Sequence, residues 1–286
     1  MKDTVAVTGG RGMLGSDLAS RLQALGYGVR VLDLPDFDLA DARQLEAKLE
    51  GACLVVNCAA FTNVDLAEEL KETAMRVNAL GPGLLGAWAK TRGAYVIHIS
   101  TDYVFDGDSR CPYVETDQPN PVSVYGRSKW EGEKNILQSG CCAAILRVQW
   151  SYGIHGTNFI AKLVESARSG KELKVVSDQV GAPTWTVDTA GAICALLEER
   201  REGIFHYASS GFASRYEVAV FAARKLGLAN RIAPCLSAEF ALPAVRPKSS
   251  RFCTDKIRQT AGCRIRPWED ALGEFLELAG RRIVGP

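Results

Sequence analysis

The first half of the chain is a series of short apolar runs separated by stretches in which apolar residues recur every three or four positions. Thr4–Thr8, Gly28–Leu32, Cys53–Ala60, Tyr95–Ile99 and Cys142–Val148 are the runs, and each is too short for a helix. After the first of them, Leu14, Leu18, Leu22 and Leu25 fall on one face of a helix that ends at Gly26. Helical patterns follow at Ala42–Leu49, over a long region from Val64 to Thr91, and from Tyr125 through Lys129. Runs that are apolar on both faces, each followed by an amphipathic helix, predict an α/β fold: a doubly wound parallel sheet with right-handed crossovers.

Beyond Val148 the pattern loosens. It predicts a helix over Asn158–Arg168, a strand over Leu173–Val176, a turn over Asp178–Thr184 and a helix over Val187–Glu198. A strand at Ile204–Tyr207, a helix at Arg215–Leu226 and closing helices near Thr254–Thr260 and Trp268–Leu278 complete it. We therefore expect residues 1–150 to form the nucleotide-binding sheet domain and residues 151–286 a smaller substrate-binding lobe, interleaved with the last sheet strands.

Chemistry enters at the first strand end. Gly9, Gly12 and Gly15 are spaced G-x-x-G-x-x-G between a strand and a helix. In that context glycines supply a tight turn, a backbone open to pyrophosphate, and close packing of helix on strand, as in Rossmann folds. Asp33 ends the second run, where a carboxylate accepts hydrogen bonds from an adenosine ribose and favours NAD. Arg11 and Arg30 lie near enough in sequence to meet a 2′-phosphate, so use of both NADH and NADPH is expected. Ala59 and Ala60 leave room for a cofactor at the third strand end. Thr101 ends the fourth, and Tyr125 and Lys129 share a helix face because residues four apart are neighbours there. A hydroxyl, a phenol and an ammonium beside a nicotinamide suit proton transfer to a carbonyl, with the cation expected to lower the phenol pKa. The loop between Asp106 and Val124 is expected to rim the substrate pocket.

Composition narrows the partners. Over 286 residues the formal charge is +1, so no global field draws nucleic acid or an anionic membrane. No apolar run reaches membrane-spanning length, and the chain opens into a strand rather than a signal peptide, which predicts a soluble cytoplasmic protein. The 9 cysteines include no C-x-x-C pair and are expected as buried free thiols. With only His98, His155 and His206, and no ligand spacing among them, no metal site is assigned from the residues.

The ordered segments Ser100-Thr101-Asp102-Tyr103-Val104-Phe105-Asp106-Gly107, Pro112-Tyr113, Tyr125-Gly126, Ser128-Lys129, Gly132-Glu133, Asp178-Gln179, Pro183-Thr184 and Arg246-Pro247 carry a resemblance over nearly the whole chain. The sequence resembles the extended short-chain dehydrogenase/reductases and, within them, the dTDP-4-dehydrorhamnose reductase family. The resemblance implies an oxidoreductase that uses NADPH or NADH to reduce the 4-keto group of dTDP-4-dehydro-L-rhamnose. By position it implies catalytic roles for Thr101, Tyr125 and Lys129. It implies cofactor contacts at Gly9, Gly12, Met13, Leu14, Asp33, Asp38, Leu39, Ala59, Ala60 and Phe61, together with Tyr125 and Lys129. Sugar-nucleotide contacts are implied at Thr101, Asp102, Trp150, Asn158 and Arg246, the last as a diphosphate partner. Some family members bind Mg2+ between subunits. Here Asp17 stands at the first ligand position and Val187, with Asp188 beside it, at the second, which argues against that magnesium site and the homodimer it supports. Two other readings stay open: a reductase of another nucleotide-linked 4-keto sugar, and a cofactor-binding protein like the regulatory subunit of methionine adenosyltransferase.

Overall fold

In the computed structural model, which describes residues 2–168, 172–227 and 232–283, one six-stranded sheet organises the chain. The strands are β1 (Lys2–Thr8), β2 (Tyr27–Leu32), β3 (Leu54–Asn57), β4 (Tyr95–Thr101), β5 (Ala143–Val148) and β6 (Gly203–Tyr207). Their order is β6-β5-β4-β3-β1-β2, and every pairing is parallel. From β1 the chain steps outward to β2 and then crosses back to β3. A crevice therefore opens between the carboxyl ends of β1 and β3, the switch point where ligands bind such sheets.

Alternate residues of each strand serve opposite faces. Val5 and Val7, Leu54 and Val56, Tyr95 and Ile97, and Ala144 and Leu146 pack against α1 (Met13–Ala24) and α6 (Thr186–Glu199). Ala6, Val55, Val96 and Ile145 pack on the other side with Leu45 of α2 (Ala42–Lys48), Leu85, Trp88 and Ala89 of α3 (Gly81–Arg92), and Ile136 of α4 (Val124–Ser139). This two-sided burial is why the strands read as continuous apolar runs. The long helical region is not one helix. It breaks into Val64–Glu69, Lys71–Met75, a π-helical turn at Arg76–Leu80, and α3. The turn accommodates α4: a Cβ at Gly132 would lie 2.1 Å from the Asn78 carbonyl oxygen, and the Asn78 amide bonds both Phe61 and Ser128.

A second cluster builds the lobe from α5 (Phe159–Arg168), α7 (Arg215–Lys225) and α8 (Trp268–Ile283), with Tyr152, Trp185, Val218 and Phe275 inside. The chain leaves the sheet half after β5, returns to it for α6 and β6, leaves again, and returns once more at Ile257 and Cys263 before closing in the lobe. Among the described residues no helix is long and apolar enough to cross a membrane. The cysteines are free, but Cys53, Cys111 and Cys142 are exposed. Each of the three lies just outside a strand or in the loop after Gly107, where the packed layers do not reach.

Candidate active site

A cavity of about 680 Å3 runs along the carboxyl ends of the strands and under the lobe. Thr101, Tyr125 and Lys129 meet in its middle. Thr101 ends β4, and its hydroxyl accepts from the Tyr103 amide at 3.2 Å and donates to Asp102 at 3.1 Å. Helix α4 starts one residue before Tyr125, with Ser123 capping the Gly126 amide. A Cβ at position 126 would lie 2.1 Å from the Tyr103 carbonyl oxygen, so only glycine lets the helix press this close and bring the Tyr125 phenol onto the Thr101 hydroxyl. One turn on, the buried Lys129 ammonium donates to the Ile99 carbonyl at 2.7 Å.

Burial sets the protonation of this triad. It raises the Tyr125 pKa well above the ordinary phenol value, opposed by the Thr101 hydrogen bond, and lowers Lys129 to about 8. The expected lowering of the phenol by Lys129 is thus reversed: the ammonium is held on Ile99 and desolvation dominates the phenol. A phenol held protonated is a loaded acid. Burial also raises Asp102, whose carboxylate accepts from Ser250 at 2.5 Å, and pushes the Cys58 thiol up to about 12. Beneath the triad, Glu133 on α4 takes two hydrogen bonds from Arg147 on β5, at 2.9 and 2.7 Å, and another from Ser100 on β4. Glu133 and Arg147 are both 1% exposed, so this pair ties α4 to the strands from inside.

One end of the cavity is shaped for a dinucleotide. Gly9 has φ +63°, and a Cβ there would lie 2.5 Å from the Ala59 nitrogen. Helix α1 opens at Met13 behind Gly12 with no side chain capping its first amides, which leaves them and the positive helix end to a phosphate group. Asp33 accepts from the Arg11 and Leu34 amides at 2.8 and 2.9 Å. Leu14, Asp38, Leu39, Ala59 and Ala60 line the same end, and Arg76 pairs with Asp38 at 2.5 Å. These residues fit a pyrophosphate and an adenosine.

At the other end Trp150 has φ +40°, rare for so bulky a residue. Its indole is wedged between Gly181, where a Cβ would lie 2.7 Å from the ring, and the Arg215 guanidinium, 3.8 Å from the ring centroid. Asn158 lines the cavity while its amide holds the Gly153 carbonyl at 2.9 Å and the Ala161 nitrogen at 3.0 Å.

Several expected residues are placed away from the cavity lining. Phe61 does not line the cavity; its backbone is clasped by Asn78 and its side chain packs against the cluster of Ala67, Ala74 and Val124. Arg246 is also outside the lining, paired with Asp65 at 2.6 Å. Arg30 turns away to the Lys48 and Glu50 carbonyls, at 2.8 and 3.0 Å, while Arg11, whose amide bonds Asp33, extends its guanidinium to Asp36 at 3.0 Å and the Leu34 carbonyl at 3.2 Å. No residue from Val104 to Val124 lines the cavity. That loop is pinned behind it by Tyr113, which donates to Asp106 at 2.6 Å and stacks on Phe105 with centroids 4.1 Å apart.

The magnesium positions are otherwise engaged. Asp17 accepts from Thr186 at 2.5 Å, and Asp188 is paired with Arg266 at 2.9 Å. Among the described residues of the single chain, no three carboxylate, histidine or cysteine groups cluster.

Arg215 was not foreseen. One signal was available, because Ser214-x-x-Glu217 is a capping box, which makes Arg215 the first residue of a helix. A cation is disfavoured at that end, so an arginine there is held for some other purpose.

Residues 1–280 match the family model described as the RmlD substrate binding domain. The chain belongs to that family. It is 38% identical to a dTDP-4-keto-6-deoxy-D-glucose reductase of Streptomyces niveus, over 97% of this chain and 98% of the relative. It is 37% identical to a dTDP-4-dehydrorhamnose reductase of Mycolicibacterium smegmatis, over 100% and 89%. The structure of a Bacillus anthracis dTDP-4-dehydrorhamnose reductase in complex with NADP superposes with a TM-score of 0.94 at 31% identity, covering 97% of this chain and 100% of that one. These relatives accord with the parallel sheet, and the Bacillus anthracis protein binds NADP.

Proposed function

We propose that this protein is an NAD(P)H-dependent oxidoreductase that reduces the 4-keto group of dTDP-4-dehydro-L-rhamnose to give dTDP-L-rhamnose. The observation that carries this reading is the meeting of Thr101, Tyr125 and Lys129 at mid-cavity, between a dinucleotide cradle on one side and Trp150 on the other. The nicotinamide cofactor supplies the hydride. Tyr125, kept protonated by burial, donates its proton to the keto oxygen, and the Thr101 hydroxyl hydrogen-bonds the same oxygen and fixes its position. Lys129 is anchored on Ile99 with further N–H groups to offer the nicotinamide ribose. Asp33 takes the adenosine ribose hydroxyls, and Arg11 beside it answers a 2′-phosphate, so both NADH and NADPH are used.

Incubation with dTDP-4-keto-6-deoxy-L-mannose and NADPH should consume nicotinamide absorbance and yield dTDP-L-rhamnose. Folded protein that binds NADPH and leaves it unoxidised would refute the reading, and is also what a non-catalytic cofactor-binding protein would give. The Streptomyces niveus relative supports a second reading with the same triad, in which the substrate is dTDP-4-keto-6-deoxy-D-glucose. Product identification from both sugars separates the two.

A further inference from the structure

A nucleoside diphosphate sugar brings a diphosphate whose charge a half-buried cavity must balance. Three cations line this cavity, and two are engaged: Arg76 pairs with Asp38, and Lys129 sits on the Ile99 carbonyl in the catalytic triad. The third is Arg215. Among the described residues no carboxylate forms an ion pair with it, and the carboxyl nearest in influence, Asp102, is occupied by Ser250 and Thr101.

Arg215 is held firmly. It stacks on Trp150 at 3.8 Å and faces Phe159 at 5.0 Å, with Tyr103, two residues beyond Thr101, near enough to feel its charge. Trp150 in turn is backed by Gly181. The guanidinium is thus fixed on the lobe side of the catalytic hydroxyls, where the group attached to the reacting sugar must pass. Arg246, the arginine that sequence position favours, bonds Asp65 and the Ala244 carbonyl instead.

We infer that Arg215 is the residue that binds the diphosphate of the nucleotide-sugar substrate, its planar fork bridging two phosphate oxygens while Trp150 supports its rear face. The inference rests on the proposed function in taking the substrate to be a nucleotide sugar.

The test is calorimetric titration of NADPH-loaded protein with dTDP, with UDP in parallel, for wild type, Arg215→Gln, Arg215→Lys and Arg246→Gln. Arg215→Gln should weaken dTDP binding about 30-fold, the loss typical of hydrogen bonds to a charged group. Arg215→Lys should recover part of it, and Arg246→Gln should change it less than threefold. NADPH affinity should stay within twofold of wild type throughout. Unchanged dTDP binding in Arg215→Gln would overturn the inference, as would a larger loss in Arg246→Gln. Parallel loss of NADPH affinity would overturn it too, by marking Arg215 as a structural prop. If wild type binds UDP and not dTDP, and Arg215→Gln weakens UDP equally, the inference stands and the dTDP reading falls.

Discussion

The two walls of the cavity are built differently. On the sheet wall each functional group sits at a strand end or in the first two turns of a helix, at a spacing the parallel topology dictates. Thr8, Asn57 and Thr101 close neighbouring strands, and the groups that follow them must converge. On the lobe wall Trp150, Asn158 and Arg215 come from three separate connections, and their positions depend on stacking and on single polar contacts. Buried charge pairing fixes the first wall, through Glu133 and Arg147. Ring and guanidinium contacts fix the second. The sheet wall is therefore fixed by the fold itself, and the lobe wall by a few separate contacts.

Substitutions can break this contrast, beginning where the effect is greatest. Glu133→Ala strands the Arg147 charge inside the protein and should cost about 3–5 kcal/mol of stability in urea unfolding. An equal cost from Trp150→Ala would show the lobe wall to be as deeply fixed. Tyr125→Phe should lower turnover ~100-fold or more while NADPH binding stays nearly intact, as loss of a general acid requires. Normal turnover would remove Tyr125 from that role.

A pH titration sharpens the same comparison. Burial depresses the Lys129 pKa to about 8, so the ammonium is present below that pH and lost above it. Affinity of the free protein for NADPH should then fall as pH rises through about 8. An affinity flat from pH 7 to pH 9 would detach Lys129 from cofactor binding. Asp33→Ala should weaken NADH about tenfold and NADPH less, because only NADH offers a free 2′-hydroxyl; equal losses would displace Asp33 from the ribose. The smallest effect belongs to Asp65→Asn. Its pair with Arg246 is partly exposed, and breaking it should cost less than about 1 kcal/mol and leave NADPH oxidation within about threefold.

What could be read in the sequence follows this division. The strands, the glycine turn, Asp33 and the Tyr125–Lys129 face were all legible, because local period and spacing determine them. Most element ends shifted by a residue or two, the last helix ran on to Ile283, and β3 proved shorter than its apolar run. Phe61 and Arg246 stand outside the cavity lining for a different reason. Each is adjacent in sequence to a lining residue or a motif, yet partners distant in sequence, Asn78 for one and Asp65 for the other, turn it aside. The loop after Asp106 looked like a pocket rim because it is long and polar. Tyr113, stacked on Phe105, folds it behind the site instead. Arg215 escaped notice because the ring it stacks on, Trp150, lies far away along the chain.

The repeated passage of the chain between its two halves has a mechanical consequence. A lobe joined by one linker could swing open like a jaw, but here the connections after Val148, Trp185 and Tyr207 and those flanking Ile257–Cys263 would all have to bend together. Such a body deforms as a frame rather than as a hinge. Any relative movement of the two halves must therefore be shared among several strands of backbone rather than taken up at a single linker.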